Sequence, residues 1–254
     1  MGLFLILAFL FFIGSVLGFV IELLFRRFIS SANPERKWIN PGFCVGPYIP
    51  LYGVGLCTLY LVAGLEKLPF AAHPVWGKLW LFLIMAVAMT LIEYLTGLFC
   101  LKVLKVRLWD YSREWANLQG IICPRFSLIW AVLGALYYFL IHPYILNALL
   151  WLSRNLAFSF VIGLFFGVFI LDVIHSAQLV AKLKRLADEY RIVVRYEHLK
   201  AQIRRRHHSM KTPYHFFRPF HTDRPLSEYV KELQDHLEKR IRRKPDSKDK
   251  TDRP

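Results

Sequence analysis

Residues 3–25 read LFLILAFLFFIGSVLGFVIELLF, twenty-three positions whose only charge is Glu22. A spanning helix needs about 20 mainly apolar residues, since each adds about 1.5 Å of rise across a hydrocarbon layer about 30 Å thick. The run lacks a charged leader and a small-residue cleavage site, so it reads as a retained transmembrane helix and not as a secretory signal. Gly2 does not begin a myristoylation motif, because position 6 is Ile where Ser or Thr is needed.

Four further apolar segments lie at about 48–66, 79–101, 127–147 and 156–179. The second is the weakest. It starts inside a Pro- and Gly-rich stretch, so it is expected to enter as an irregular or re-entrant segment, which a membrane tolerates only where protein or water surrounds the backbone. The expected fold class is all-α: a polytopic membrane helix bundle of about five transmembrane helices with a basic helical tail. Composition agrees. Of 254 residues, 56% are hydrophobic and 16% aromatic, yet the formal charge is +15, which a soluble domain could not reconcile with so much apolar surface. The charge is segregated, with 21 Lys and Arg against 11 Asp and Glu from Lys182 onward. This divides the chain into a transmembrane domain, 1–180, and a basic tail, 181–254.

Short loops rich in Lys and Arg stay cytoplasmic. Arg26, Arg27, Arg36 and Lys37 follow the first span, and Lys102, Lys105, Arg107, Arg113 and Arg125 follow the third. The opposite loops hold only Lys67, Lys78 and Arg154. The expected arrangement has the N-terminus outside and the tail in the cytoplasm.

Three carboxylates fall within the predicted spans, Glu22, Glu93 and Asp172, and an acid inside a bilayer is a candidate site by default. Measured from the span centres at 1.5 Å per residue, they lie ~12, ~5 and ~8 Å toward the cytoplasmic side, forming one acidic layer bordering a polar pocket. Gly14, Gly18 and Glu22 are spaced by four, so a small-residue seam runs into the first acid. Glu22 is also one turn from Arg26, which offers an interfacial ion pair as the alternative. Asp172 is one turn from His175, either a proton-exchanging pair or a structural hydrogen bond. Glu93 is the deepest and has no basic residue within a turn, which makes it the leading candidate.

The first inner loop carries Asn40, Gly42, Gly46, Pro47, Pro50 and Tyr52, a composition that specifies a rigid path. The second carries Trp109, Asp110, Tyr111 and Asn117, groups suited to covering a cavity mouth or simply to capping helices. Four features, taken in order, resemble a bacterial family of CmpB-like permeases described as ABC-transporter type IV. They are Gly14 to Glu22; Asn40-x-Gly42-Phe43-x-x-Gly46-Pro47-x-x-Pro50-x-Tyr52-Gly53; Glu93-Tyr94-x-x-Gly97; and Trp109-Asp110-Tyr111-Ser112 with Asn117-x-x-Gly120-x-x-Cys123. The resemblance spans about residues 10–180 and implies an inner-membrane transporter permease. It brings no substrate and no catalytic residues.

The chain lacks the Gly-x-x-x-x-Gly-Lys-Ser/Thr phosphate loop, so ATP would have to be handled by a separate ATPase subunit. With so few spans a homodimer or a complex with a partner is expected, with Gly14/Gly18 and Gly163/Gly167 as candidate contacts, although both seams suit packing within the chain equally well. The tail reads as an amphipathic helix from about 177 to 207, ending in Arg204-Arg205-Arg206-His207-His208. A linker at 214–225, a second helix at about 226–243 and a charged disordered end follow. Its basic residues suit anionic lipid headgroups, at about 1 kcal/mol each, better than nucleic acid, for which no motif is present. Cys44, Cys57, Cys100 and Cys123 have no metal-type spacing, and no cofactor is expected. No nucleophile elbow and no His-Glu-x-x-His occurs, so the chain is not expected to be an enzyme. The expected function is a transporter permease with a cytoplasm-facing acidic pocket. The alternative is a membrane scaffold or regulatory subunit that recruits a cytosolic partner through its tail.

Overall fold

A computed structural model describes residues 2–30, 33, 36–68, 73, 75–189, 193–196, 198–200, 202 and 226–242. The helices are α1 (Leu3–Phe28), α2 (Pro50–Gly64), α3 (Trp76–Lys102), α4 (Pro124–Leu136), α5 (His142–Arg154), α6 (Ser159–Glu189) and α7 (Leu226–Arg242). Two short strands, β1 (Val106–Arg107) and β2 (Val194–Arg195), pair in parallel. Among the described residues, four helical segments are long and apolar enough to cross a membrane: Leu3–Phe28, Trp76–Lys102, Pro124–Arg154 and Leu156–Glu189. The chain is a membrane helix bundle, as its long apolar runs require.

The second expected span is shorter than predicted. Pro50 starts α2 where its missing N–H costs nothing, and the helix has 15 residues, about 22 Å of rise against a hydrocarbon layer of about 30 Å. The remaining depth is taken by irregular chain before it. The Ile49 N–H donates to the Ser15 carbonyl in the middle of α1 (2.9 Å), while further along α2 the Cys57 thiol donates to Leu7 O (3.3 Å), so α2 runs antiparallel to the first half of α1.

Gly14 and Gly18 make this contact possible. A Cβ on Gly14 would stand 2.9 Å from Leu56 Cβ, and one on Gly18 would overlap the Tyr52 ring. That seam is therefore used inside the chain. A Cβ on Gly163 or Gly167 would meet nothing within 4 Å among the described residues.

The span Pro124–Arg154 is interrupted by a π-helical segment, Tyr137–Ile141. Pro143 lacks an N–H and cannot serve the carbonyl four residues before it, and the His142 N–H instead reaches Tyr137 O. The bundle core gathers Phe9, Leu10, Leu59, Met85, Trp130 and Leu152. Exposed apolar side chains such as Leu164, Val168 and Leu171 cover the outer face of α6, as a lipid-facing helix requires.

A second apolar cluster lies beyond the bundle and joins tail to loops: Val106 of β1, Leu183 and Leu186 of α6, Val194, Tyr196, Leu199, and Tyr229 and Val230 of α7, with Phe43 packed against it. The helix expected to run unbroken from 177 to 207 is described as far as Glu189, and it does not continue through Val194, which sits in a strand. Val193 and Val194 are β-branched, which lowers helix propensity, and Val194 suits the buried pairing with Val106. The basic run 204–208, the linker 214–225 and the charged end lie outside the described residues.

Candidate functional site

On α3 the buried positions Met85, Met89, Glu93, Gly97 and Cys100 form one stripe, placing the Glu93 carboxylate in the bundle with only 3% of the residue exposed. Two neutral donors hold it. Trp130 Nε1–H from α4 donates to Oε2 (2.9 Å), and Tyr111 O–H from the loop after α3 donates to Oε1 (3.2 Å). Burying a carboxylate demands such donors, because an unsatisfied buried charge is far costlier than a neutral group.

Tyr111 reaches Glu93 because the loop folds back as a lid. The Tyr111 N–H donates to Gly120 O (2.9 Å), Leu118 and Ile122 form a bridge, and the Tyr111 ring stacks on Phe126 at 4.2 Å. The Trp109 indole N–H donates to Ile121 O (2.8 Å). Gly120 supplies the turn at φ +68°, a left-handed conformation that favours glycine, and its N–H donates to Asn117 Oδ1 (3.0 Å).

Asp110 ties the base of the lid. Its Oδ1 accepts from Arg107 (2.9 Å), from the Ser112 N–H (3.1 Å) and from the Ser112 hydroxyl, and its Oδ2 faces Arg195 at 3.3 Å. Partial burial opposes its ionisation, but the Ser112 hydrogen bonds and then the Arg195 and Arg107 charges outweigh that and hold the carboxyl below the usual aspartate range.

Glu22 joins the same centre through aromatic groups. Tyr52 O–H donates to Glu22 Oε2 (3.0 Å), while Arg26 Nε pairs with Oε1 (2.9 Å). The Tyr52 ring lies 5.5 Å from that of Trp130. Glu22, Tyr52, Trp130, Glu93 and Tyr111 thus form a continuous chain of contacts, with the Arg26 ion pair at one end.

Asp172 has different partners. Its Oδ1 accepts from the Val45 N–H (3.0 Å) and the Ser176 hydroxyl (3.2 Å), and its Oδ2 from the Gly46 N–H (2.7 Å) and the Tyr48 hydroxyl. Phe165 and Phe169 of α6 hold the Tyr48 ring at 5.6 and 5.3 Å. Asp172 therefore supplies acceptors to irregular backbone that enters the bundle, as non-helical chain at membrane depth requires. His175 is exposed, and Ser176, not His175, hydrogen-bonds Asp172.

Asn40 shapes the same loop, its Oδ1 accepting from the Gly42 N–H (2.8 Å) and its amide donating to Cys44 O and Val45 O (3.4 and 3.3 Å). Pro47 is exposed, and Pro50 opens α2. A shallow groove lined by Val87, Thr90, Leu91, Tyr94 and Ile122 opens on the outer side of α3, and none of the three acids lines it.

Sequence reasoning passed over three side chains in these contacts. Trp130 looks like any apolar-span aromatic, and Tyr48 precedes α2 without a motif role of its own. Arg195 is one among many basic tail residues. Periodicity could have singled out Trp130, since a Trp buried in a span must find an acceptor for its N–H.

No curated protein and no solved structure matches the chain. A family profile covers residues 9–177, the membrane body that carries all three acids and both loops. The chain therefore belongs to the family described as "Putative ABC-transporter type IV".

Proposed function

We propose that the protein is the membrane-embedded permease of a transport system, and that Glu93 is the group on which a proton or a cationic part of the substrate is carried. The observation that supports this most is a carboxylate at 3% exposure held by two neutral donors. A bound proton or cation would cancel the buried charge there, and the Tyr111 lid stands between the site and the basic-loop end. The Tyr52 and Glu22 contacts supply a polar route toward that end. Asp172 serves the fold of the first loop in this reading.

In this reading the lid and tail face the cytoplasm at a bacterial inner membrane, a reading supported by the Lys and Arg of the loops on that side. ATP hydrolysis belongs to a separate subunit, the chain itself being no enzyme. Anionic lipids meet the basic surface, and Gly163 and Gly167 offer a contact for a second copy. The scaffold reading is the less supported one, because Tyr196, Leu199, Tyr229 and Val230 of the tail are buried against the chain's own loops and helices.

The test is flux in proteoliposomes with an interior pH dye, comparing wild type with Glu93→Gln. The glutamine keeps the size and one acceptor oxygen for the Trp130 N–H, and its NH₂ can donate to the Tyr111 hydroxyl oxygen, but it cannot carry the charge. Flux should fall at least about tenfold, a loss of roughly 1.4 kcal/mol or more, with unchanged protein level and thermal stability. Flux and level falling together would assign Glu93 a structural role.

A further inference from the structure

One short stretch of the tail, 194–200, grips both loops. On the lid side, the Val194 N–H donates to Lys105 O (3.1 Å), Val194 pairs with Val106, and Arg195 faces Asp110 at 3.3 Å. On the other side, Tyr196 O–H donates to Phe43 O (3.3 Å), and Lys200 Nζ donates to Asn40 O (3.2 Å) with the residue only 5% exposed. The Lys200 ammonium also lies 4.7 Å from the Tyr196 ring, an attraction that strengthens as water is excluded. The loop it holds through Asn40 and Phe43 is the one whose Val45 and Gly46 N–H groups bind Asp172. The loop it holds through Asp110 carries the Tyr111 hydroxyl on Glu93.

We propose that this stretch is a latch that couples the two loops, so that releasing the tail opens the lid over Glu93 and loosens the Asp172 loop in one event. These contacts on two loops come from residues at most six apart, packed around Val106, Val194 and Leu199, which are at most 1% exposed. A segment that short and that well packed cannot let go of one loop while holding its position on the other. The consequence for flux rests on the reading of Glu93 given above, whereas the coupling of the loops does not.

Native cysteines report each part. Cys44 sits in the first loop and Cys123 at the end of the lid, both buried, and Cys57 lies in the bundle, bonded to Leu7 O. Full-length chains retaining one of these thiols are labelled with a water-soluble maleimide in membranes. Lys200→Met removes the hydrogen bond to the first loop, and Arg195→Glu removes the ion pair to the lid. Labelling at both Cys44 and Cys123 should speed up about tenfold in Lys200→Met, the population change expected when a buried charge-assisted hydrogen bond is lost, and about threefold in Arg195→Glu, whose ion pair is half exposed, leaving Cys57 unchanged. Lys200→Arg should restore protection. Labelling that rises only in the loop from which the contact was removed, rises at Cys57 as well, or does not change would overturn the latch. Faster labelling with unaltered flux in the same membranes supports the latch and refutes the transport role of Glu93.

Discussion

Replacing Asp172 by alanine removes the acceptor of four donors at once: the Val45 and Gly46 N–H groups and the Tyr48 and Ser176 hydroxyls. The hydroxyls can rotate toward other acceptors, but the two backbone N–H groups cannot leave the loop. An unsatisfied buried donor costs about 1–3 kcal/mol. These are partly buried and can recover some water, so the low end of the range applies, about 1–1.5 kcal/mol each and on the order of 2–3 kcal/mol for the pair. For a chain of this size about 2–4 °C is lost per kcal/mol, so thermal unfolding followed by exposure of the buried thiols should begin about 4–12 °C lower. Asp172→Asn should lie between, since one carboxamide oxygen still accepts while its NH₂ opposes a donor. If Asp172→Ala abolished flux with the unfolding temperature unchanged, Asp172 would be a transport group and its role as loop anchor would be wrong.

Gly18→Ala should be strongly disruptive for its size, because the new methyl would overlap the Tyr52 ring; overpacking of this kind costs about 1–3 kcal/mol and would lower the yield of folded protein in detergent. Trp130→Phe keeps a ring against Tyr52 but removes the N–H on Glu93. It should cost about 1.5–3 kcal/mol, the worth of a hydrogen bond to a charged group, which thermal unfolding would read and which Glu93→Gln should partly offset. The carboxyl of Asp110 is held below its ordinary range, so its contribution to lid stability is present above the unfolded-state aspartate pKa and lost as pH falls through the folded one. Cys123 labelling relative to Cys57 at the same pH should therefore rise on acidification in wild type, loss of thiolate slowing both thiols, and Asp110→Asn should show the raised ratio already at neutral pH with a flatter profile.

Long-range pairing separates what was legible from what was not. The helical segments could be read directly, because a bilayer requires continuous apolar runs whose backbone bonds are satisfied locally, and 3–25 or 156–179 meet that without help from the rest of the chain. The acids stood out because charge is rare at that depth. Their partners did not. Asp172 and His175 look paired by helical spacing, yet the loop delivers Val45, Gly46 and Tyr48 from more than a hundred residues away, and spacing along a helix carries no information about that.

The sequence by itself determined the class of the protein and the location of its buried charges, since hydropathy and charge segregation are local properties summed along the chain. Only the tertiary structure decided that α2 is a short helix completed by irregular chain, that Trp130 and Tyr111 hold Glu93, and that the basic tail folds back onto both loops. Each of those depends on hydrogen bonds and close contacts between distant segments, formed by polar groups whose only alternative inside the bundle is to go unsatisfied.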